Sequence, residues 1–307
     1  MRTVVVEQWG GAGNLVERET RRPEPGLNEV LVRVHAAGVN PVDWKTRATG
    51  ALIEWGPVPA VGWDVSGTIE AVGPGVGMFR PGDEVFGMPS FPRQAGAYAE
   101  YVVAPARHLA PKPTTLTHVE AAALPLAALT AWQALVDTAG LRPGERVLVH
   151  AAAGGVGHLA VQIAKARGAH VTGTASAAKH DLVRRLGADE VIDYRTVRFE
   201  DAVSDIDVVL DGLGGETAER SLKVLRPGGR LITLPGPDDV PAAQDGVRAQ
   251  WLLVEPDHLG LREITALVEQ GALKPVVDTV LPLAEAAKAH EIGEQGRTTG
   301  KIVLTVA

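Results

Sequence analysis

The stretch His150-Ala151-Ala152-Ala153-Gly154-Gly155-Val156-Gly157-His158-Leu159-Ala160-Val161-Gln162 carries the most specific chemical signal in this sequence. It follows an apolar strand pattern and opens a helical one, which is the setting a dinucleotide-binding turn requires. Gly154 and Gly155 allow a sharp turn and a close backbone approach to a pyrophosphate. The helix start then offers N–H groups and the positive end of its dipole to the anion. Gly157 and Ala160 are small enough for the helix to lie close on its strand. The spacing Ala151-x-x-Gly154-x-x-Gly157 departs from a strict G-x-G-x-x-G, and a plain strand-to-helix turn could carry the same small residues. The further β-α units behind it favour a nucleotide.

The second strand of such a unit separates NAD from NADP. NAD sites place Asp or Glu about 20 residues beyond the glycines, on the ribose hydroxyls. Here the region reads Gly173-Thr174-Ala175-Ser176-Ala177-Ala178-Lys179-His180, and the first acid, Asp181, falls inside the next helix. Small residues leave room for a 2′-phosphate, Ser176 can donate to it and Lys179 supplies charge, so the expected cofactor is NADP(H). The alternative is that Ser176 caps a helix and Lys179 is solvated.

The chain has no cysteine, which excludes disulfides and Cys-held metals. Its nine histidines show no H-x-x-x-H or similar spacing, so His150 and His158 are read as structural and no metal is expected.

The elements that must position the turn alternate. Strands are expected over 146–150, 170–174, 190–193, 207–211, 230–234 and 251–254, with helices over 156–167, 179–186 and 217–225. This is a doubly wound parallel α/β sheet of Rossmann type. The first third instead shows short β-branched runs at 3–6, 30–34, 65–72, 84–86 and 98–103, parted by turns such as Pro74-Gly75 and Pro81-Gly82. That pattern predicts a compact β-rich barrel or sandwich. After a helix over 261–269 and the segment 275–283, a last strand over 301–306 is expected to return to the first domain. The nucleotide-binding domain, 123–265, is then an insertion into a substrate domain made of 1–122 and 266–307.

A chain of 307 residues fits two domains. A net charge of -7 argues against nucleic-acid binding, which needs clustered Lys and Arg. Met1 to Gly10 lack the pattern of a signal peptide, and the apolar stretch 121–136 is too short to span a bilayer. A cytoplasmic enzyme with no membrane contact is expected.

The chain resembles the medium-chain dehydrogenase/reductase superfamily, in its zinc-free quinone oxidoreductase and enone reductase branch that includes zeta-crystallin. The resemblance rests on Ala36-Ala37-Gly38-Val39-Asn40-Pro41-Val42-Asp43, Gly62-Trp63-Asp64-Val65-Ser66-Gly67, Arg80-Pro81-Gly82-Asp83-Glu84-Val85 and Gly96-Ala97-Tyr98-Ala99-Glu100-Tyr101. Leu124-Pro125, Leu129-Thr130-Ala131, the glycine turn, Leu186-Gly187-Ala188-Asp189, Leu225-Arg226-Pro227-Gly228-Gly229 and Gly300-Lys301-Ile302-Val303-Leu304 extend it over essentially the whole chain. It implies a GroES-like fold for the β-rich domain. Zinc-dependent members carry Cys where Asn40 stands and Gly-His-Glu where Gly62-Trp63-Asp64 stands. Both ligand positions are therefore lost. Without a Lewis acid for an alkoxide, reduction of a conjugated C=C bond or a quinone is favoured over alcohol oxidation.

The resemblance further implies that Asn40 and Asp43 lie by the nicotinamide. Thr130, Gly154, Gly155 and Val156 would contact the cofactor, Ser176, Lys179 and Tyr194 would surround the 2′-phosphate, and Leu213 and Lys301 would complete the set. The pattern from Asn40 to Lys45 is similar to alkenal and enone reductases. Lys45 is the expected donor to a developing enolate oxygen, with Tyr98 as a second candidate. Blander roles stay open: caps for Asn40 and Asp43, a strand-end aromatic for Tyr194, core for Tyr98 and a solvated side chain for Lys45. The expected activity is NADPH-dependent reduction of a small-molecule enone, enal or quinone, by a homodimer on analogy with such relatives. Alternatives are a pathway-specific enoyl or ketone reductase and a non-catalytic zeta-crystallin-like protein.

Overall fold

The computed structural model describes residues 1–51, 55–56, 58–242 and 246–306. Residues 52–54, 57, 243–245 and 307 lie outside the described residues. The chain begins with β1 (Arg2–Val6), β2 (Leu15–Glu19), β3 (Glu29–Val39), α1 (Pro41–Thr49), β4 (Asp64–Val72), β5 (Glu84–Gly87), β6 (Tyr101–Pro105) and β7 (Leu109–Pro111). Next come α2 (His118–Ala122) and α3 (Pro125–Trp132), which continues into a π-helical turn, Gln133–Thr138. The middle holds β8 (Arg146–Val149), α4 (Gly157–Ala166), β9 (His170–Ala175), α5 (His180–Arg185), β10 (Glu190–Asp193), α6 (Phe199–Ala202), β11 (Ile206–Asp211), α7 (Gly215–Ser221), β12 (Leu225–Thr233) and β13 (Arg248–Trp251). It closes with α8 (His258–Glu269), β14 (Val277–Pro282), α9 (Ala286–Glu294) and β15 (Lys301–Thr305).

These elements form two compact units. One is Met1–Leu129 with Glu255–Glu269 and Pro275–Ala307; the other is Thr130–Val254 with Gln270–Lys274. The units part within α3, a few residues after the 122/123 break expected from sequence. All of α8 lies with the first unit, whereas the expected 265/266 break would cut it.

The first unit is built on a sheet ordered β14-β15-β3-β4-β5-β7, with β6 also on β3 and a separate β1-β2 pair. β15 runs antiparallel to β3 and parallel to β14, so the last strand completes a sheet begun near the start of the sequence. Alternating valines of β3, Val30, Val32 and Val34, face one core with Val65, Ile69, Val85 and Leu304. This is the GroES-like fold. Tyr98 is not in a strand as the 98–103 pattern predicts: β6 starts at Tyr101, and Ala99 makes only an isolated bridge to Thr3.

The second unit is a six-stranded sheet ordered β10-β9-β8-β11-β12-β13, parallel throughout. Counted from β8 this is the 3-2-1-4-5-6 order of a doubly wound Rossmann-type sheet. Its central strands are covered on both faces, and every residue of β11 is buried. The strand expected over 251–254 is instead Arg248–Trp251. It is an edge strand whose residues alternate between exposed and half-buried, so it lacks the apolar run that marks a central strand. β12 starts at Leu225 and includes the Pro227-Gly228-Gly229 stretch that reads as a turn, which shortens the helix expected over 217–225 to Gly215–Ser221.

Candidate active site

The residues expected from sequence to meet a nucleotide lie mostly at the carboxyl ends of β8, β9, β10 and β11. Strand order reverses between β8 and β11, the point at which doubly wound sheets bind ligands. The turn after β8 is tied to both neighbours: His150 N–H donates to Leu210 O on β11 at 3.0 Å, and Ala152 N–H to Thr174 O on β9 at 2.9 Å. The left-handed residue of the turn is Ala151, at φ 50°, rather than Gly154 or Gly155. Gly157 is required for close approach, since a Cβ there would sit 2.2 Å from Ala151 O. α4 opens at Gly157, and behind it His158 N–H donates to Gly154 O at 3.1 Å and the N–H groups of Leu159 and Ala160 to Val156 O at 3.1 and 2.9 Å.

His150 and His158 are spent on structure. The His150 ring bonds Thr174 Oγ1 at 3.2 Å and Ser221 Oγ at 3.0 Å, and burial pulls its pKa down to about 4, so it stays neutral. His158 Nδ1 donates to Gly154 O at 2.8 Å.

At the end of β9, Ser176 is buried and makes no side-chain capping bond to the following turn; Lys179 is half-buried there, with its N–H on Ser176 O at 2.8 Å. β10 pairs Asp193 with Ala175, so Tyr194 comes alongside Ser176, and it is 56% exposed. The Arg195 guanidinium lies 5.7 Å from the Tyr194 ring centroid. Sequence reasoning missed this second cation, and its only signal was adjacency to Tyr194. After β11, Leu213 is exposed on a loop pinned by Asp211, whose carboxylate accepts from Leu213 N–H at 2.9 Å and Gly214 N–H at 3.0 Å. Asp211 was also missed, although a lone acid closing an apolar strand could have marked it. Thr130 is buried within α3.

The first unit gathers a different set. Asn40 follows β3, Asp64 opens β4 and Lys301 opens β15, and these strands are neighbours in the order β15-β3-β4. Register pairs Gly38 with Asp64 and Val39 with Ile302, so three residues remote in sequence come together. Lys301 Nζ donates to Val39 O at 2.9 Å, to Asn40 Oδ1 and to Asp64 Oδ2 at 3.4 Å. Asn40 Nδ2 donates to Asp64 Oδ2 at 2.8 Å, and Leu126 N–H, at the start of α3, to Asp64 Oδ1 at 2.7 Å. Gly38 is needed here, because its Cβ would lie 2.8 Å from Asp64 Oδ2 and 2.3 Å from Ala122 O. Burial pushes the Asp64 pKa up, and the Lys301 ammonium opposes it most strongly.

Asn40 is also the N-cap of α1, with Pro41 first in the helix and Asp43 at its third position. Asp43 Oδ2 accepts from Asn40 N–H at 2.6 Å and from Tyr98 Oη–H at 2.9 Å. The Tyr98 oxygen meets His290 Nε2 of α9 at 3.3 Å. Since the hydroxyl proton goes to Asp43, the imidazole donates. Burial lifts the Asp43 pKa to about 7, and burial with the charge of Arg47 drops that of His290 to about 3. Asp43, Thr46 and Arg47 form the buried face of α1. Lys45, about 200° around the helix from Asp43, is exposed and outside this network. Thus the structure joins Asn40, Asp43 and Tyr98, adds Asp64, Lys301 and His290 to them, and leaves Lys45 apart. Trp63 is fully buried, its indole N–H donating to Arg93 O at 2.7 Å.

Two family models match the chain: an alcohol dehydrogenase GroES-like domain over residues 26–114 and a zinc-binding dehydrogenase over residues 186–304. A mitochondrial NAD(P)H oxidoreductase, RTN4IP1 of Danio rerio, is 36% identical over 91% of this chain and 84% of its own length. A 2-methylene-furan-3-one reductase of Solanum lycopersicum is 36% identical over 96% of this chain and 76% of its own. The quinone oxidoreductase structure from Coxiella burnetii superposes with a TM-score of 0.92 at 35% identity, covering 100% of this chain and 99% of that one. The chain belongs to the medium-chain dehydrogenase/reductase superfamily, in its quinone oxidoreductase branch. It is an oxidoreductase of that type. Within the superfamily it also matches, at 41% identity, a segment that makes up 13% of a spectinabilin polyketide synthase protein of Streptomyces orinoci. The Escherichia coli quinone oxidoreductase, solved with NADPH, aligns over the full length of both chains with a TM-score of 0.86 at 28% identity. Among the described residues no helix is long and apolar enough to cross a membrane, and no group of three or more His, Cys, Asp or Glu side chains could hold a metal.

Proposed function

We propose that this oxidoreductase is NADP(H)-dependent and reduces an α,β-unsaturated carbonyl compound or a quinone without a metal. The Asn40–Asp64–Lys301 set carries the reading. A zinc of the kind named in the matched family model needs thiolate or imidazole where Asn40 and Trp63 stand, and the Trp63 N–H is committed to Arg93 O. An ammonium already holds the oxygens that remain. These residues do not fit the metal.

NADP(H), which supplies hydride from its nicotinamide when bound, has a separate set of residues in the six-stranded unit. Gly154, Gly155 and Val156, ahead of α4, would receive the pyrophosphate, with Thr130 and Leu213 completing the contacts. Ser176, Lys179 and Tyr194 would take the 2′-phosphate, and Arg195 adds a second cation. No acid closes β9 to select NAD. Tyr98 donates its proton to Asp43, so we assign it to positioning. The exposed Lys45 keeps the role of donor to a developing enolate oxygen, with the α-carbon proton coming from water. Pairing with a second copy, measurable by sedimentation, completes the reading.

The test is NADPH oxidation with a panel of simple enones, enals and quinones. Turnover of any class supports the reading, and no oxidation across the panel would overturn it. The polyketide synthase segment favours a second reading, an enoyl reductase acting on acyl thioesters. A crotonyl thioester reduced far faster than the free enones would select it.

A further inference from the structure

The buried ammonium of Lys301 does more than balance a charge. Its three N–H groups are all engaged, on a backbone carbonyl, an amide oxygen and a carboxylate. An ammonium only donates and a carboxylate only accepts. The Asn40 amide, placed between the two, therefore has one orientation: Oδ1 toward Lys301 and Nδ2 toward Asp64. Asn40 in turn starts α1, and its N–H holds Asp43, which holds Tyr98. The order of this whole side of the unit leads back to one cation at 3% exposure.

We propose that Lys301 is a positioning residue, the buried cation that fixes the Asn40 amide and the first turn of α1 for the reduction. The role in the reaction rests on the reading above; the clamp itself does not. Removing the ammonium should leave a cavity edged by Val39 O, Asn40 Oδ1 and Asp64 Oδ2, three acceptors for a small alkylammonium ion.

Only Asn14, Asn28 and Asn40 are asparagines, so selective ¹⁵N-asparagine labelling gives three side-chain amide pairs. Asn40 is the buried one, and its pair should exchange slowly with solvent. In Lys301→Ala that protection should be lost and kcat with an enone should fall about tenfold or more, with KM for NADPH nearly unchanged. Ethylammonium should restore both readouts, and tetramethylammonium, which cannot donate, should restore neither. If Lys301→Ala does not fold, the charge-neutral pair Lys301→Met with Asp64→Asn replaces it and should show the same loss of protection and of kcat, without rescue. Unchanged Asn40 protection in the variant that folds would overturn the clamp. Lost protection with parent kcat would overturn the positioning role. A parent chain inactive on every acceptor would sink the reductase reading, and the labelling result would still decide whether the clamp exists.

Discussion

Lys179, Tyr194 and Leu213 stand at strand ends open wholly or partly to solvent, whereas Asn40, Asp64, Tyr98 and Lys301 are shut inside the first unit. In the proposed reading the six-stranded unit would work through backbone geometry, with side chains added around a turn that folds without them. The first unit would work through side chains that are themselves part of the core and bonded to one another. A change in the first kind of site should alter affinity and spare the fold. In the second kind, chemistry and stability cannot be separated, because removing one partner strands another in a low-dielectric interior.

The widest gap between the units should come from Asp64→Ala. It leaves the Lys301 ammonium buried without its carboxylate, and breaking such a pair costs about 3–5 kcal/mol. Denaturant unfolding should show that loss; a midpoint within error of the parent would mean the core is not organised around the pair. Gly155→Asp should test the other side of the contrast. A carboxylate beside the expected pyrophosphate should abolish NADPH binding in a titration while circular dichroism stays unchanged. Normal binding would place the phosphates elsewhere.

A smaller effect is expected at Lys179. A charge-assisted bond to phosphate contributes about 1.5–3 kcal/mol, so NADPH should bind at least about tenfold better than NADH, and Lys179→Ala should remove most of that preference with no change in Tm. Equal affinity of the parent for both cofactors would reverse the NADP assignment.

The smallest effect is a slope with pH. An Asp whose pKa is raised on folding binds its proton more tightly in the native state, so its ionisation destabilises the fold as pH rises from the unfolded value of 3.8 to about 7. The neutral His290 and His150 act in the opposite sense over the acid range, since their depressed values favour unfolding as pH falls below 6.5. Asp43→Asn removes only the first contribution. Its stability relative to the parent should climb by at most about 1.4 kcal/mol per pH unit between pH 4 and 7 and level off above. Parallel parent and variant curves would show that Asp43 titrates normally.

The two units also differed in how far they could be read from sequence. The glycine turn and the β-α alternation are local patterns, and both the element types and the Rossmann-type sheet follow from them. Local pattern also misled in detail, since Ala151 takes the left-handed position that the adjacent glycines suggest for themselves. β2 and β7 went unread because one is largely polar and the other three residues long. The π-helical turn after α3 has no periodicity distinct from an α-helix over six residues. In the first unit Asn40, Asp43, Tyr98 and Lys301 were singled out individually, but their contacts with one another, and with Asp64 and His290, were not. Nothing in Gly62-Trp63-Asp64 or Gly300-Lys301 announces that the two charges meet, because strand order in a sheet brings them together. Lys301 was set with the cofactor residues by resemblance, and only the register of β15 on β3 shows its ammonium against Asn40.

That register also bears on how the protein is made. Lys301 and Asn40 are 261 residues apart, with the strands of the six-stranded sheet lying between them in sequence. Contacts of such span form late, since the loop they close must first be ordered or searched. On the ribosome, Thr130–Val254 can reach its native sheet while β3 and β4 still lack the strand that neutralises Asp64. Until β15 emerges, that carboxylate and a row of unpaired β3 backbone groups are exposed to other chains, which makes this the interval in which a nascent chain most needs chaperone protection.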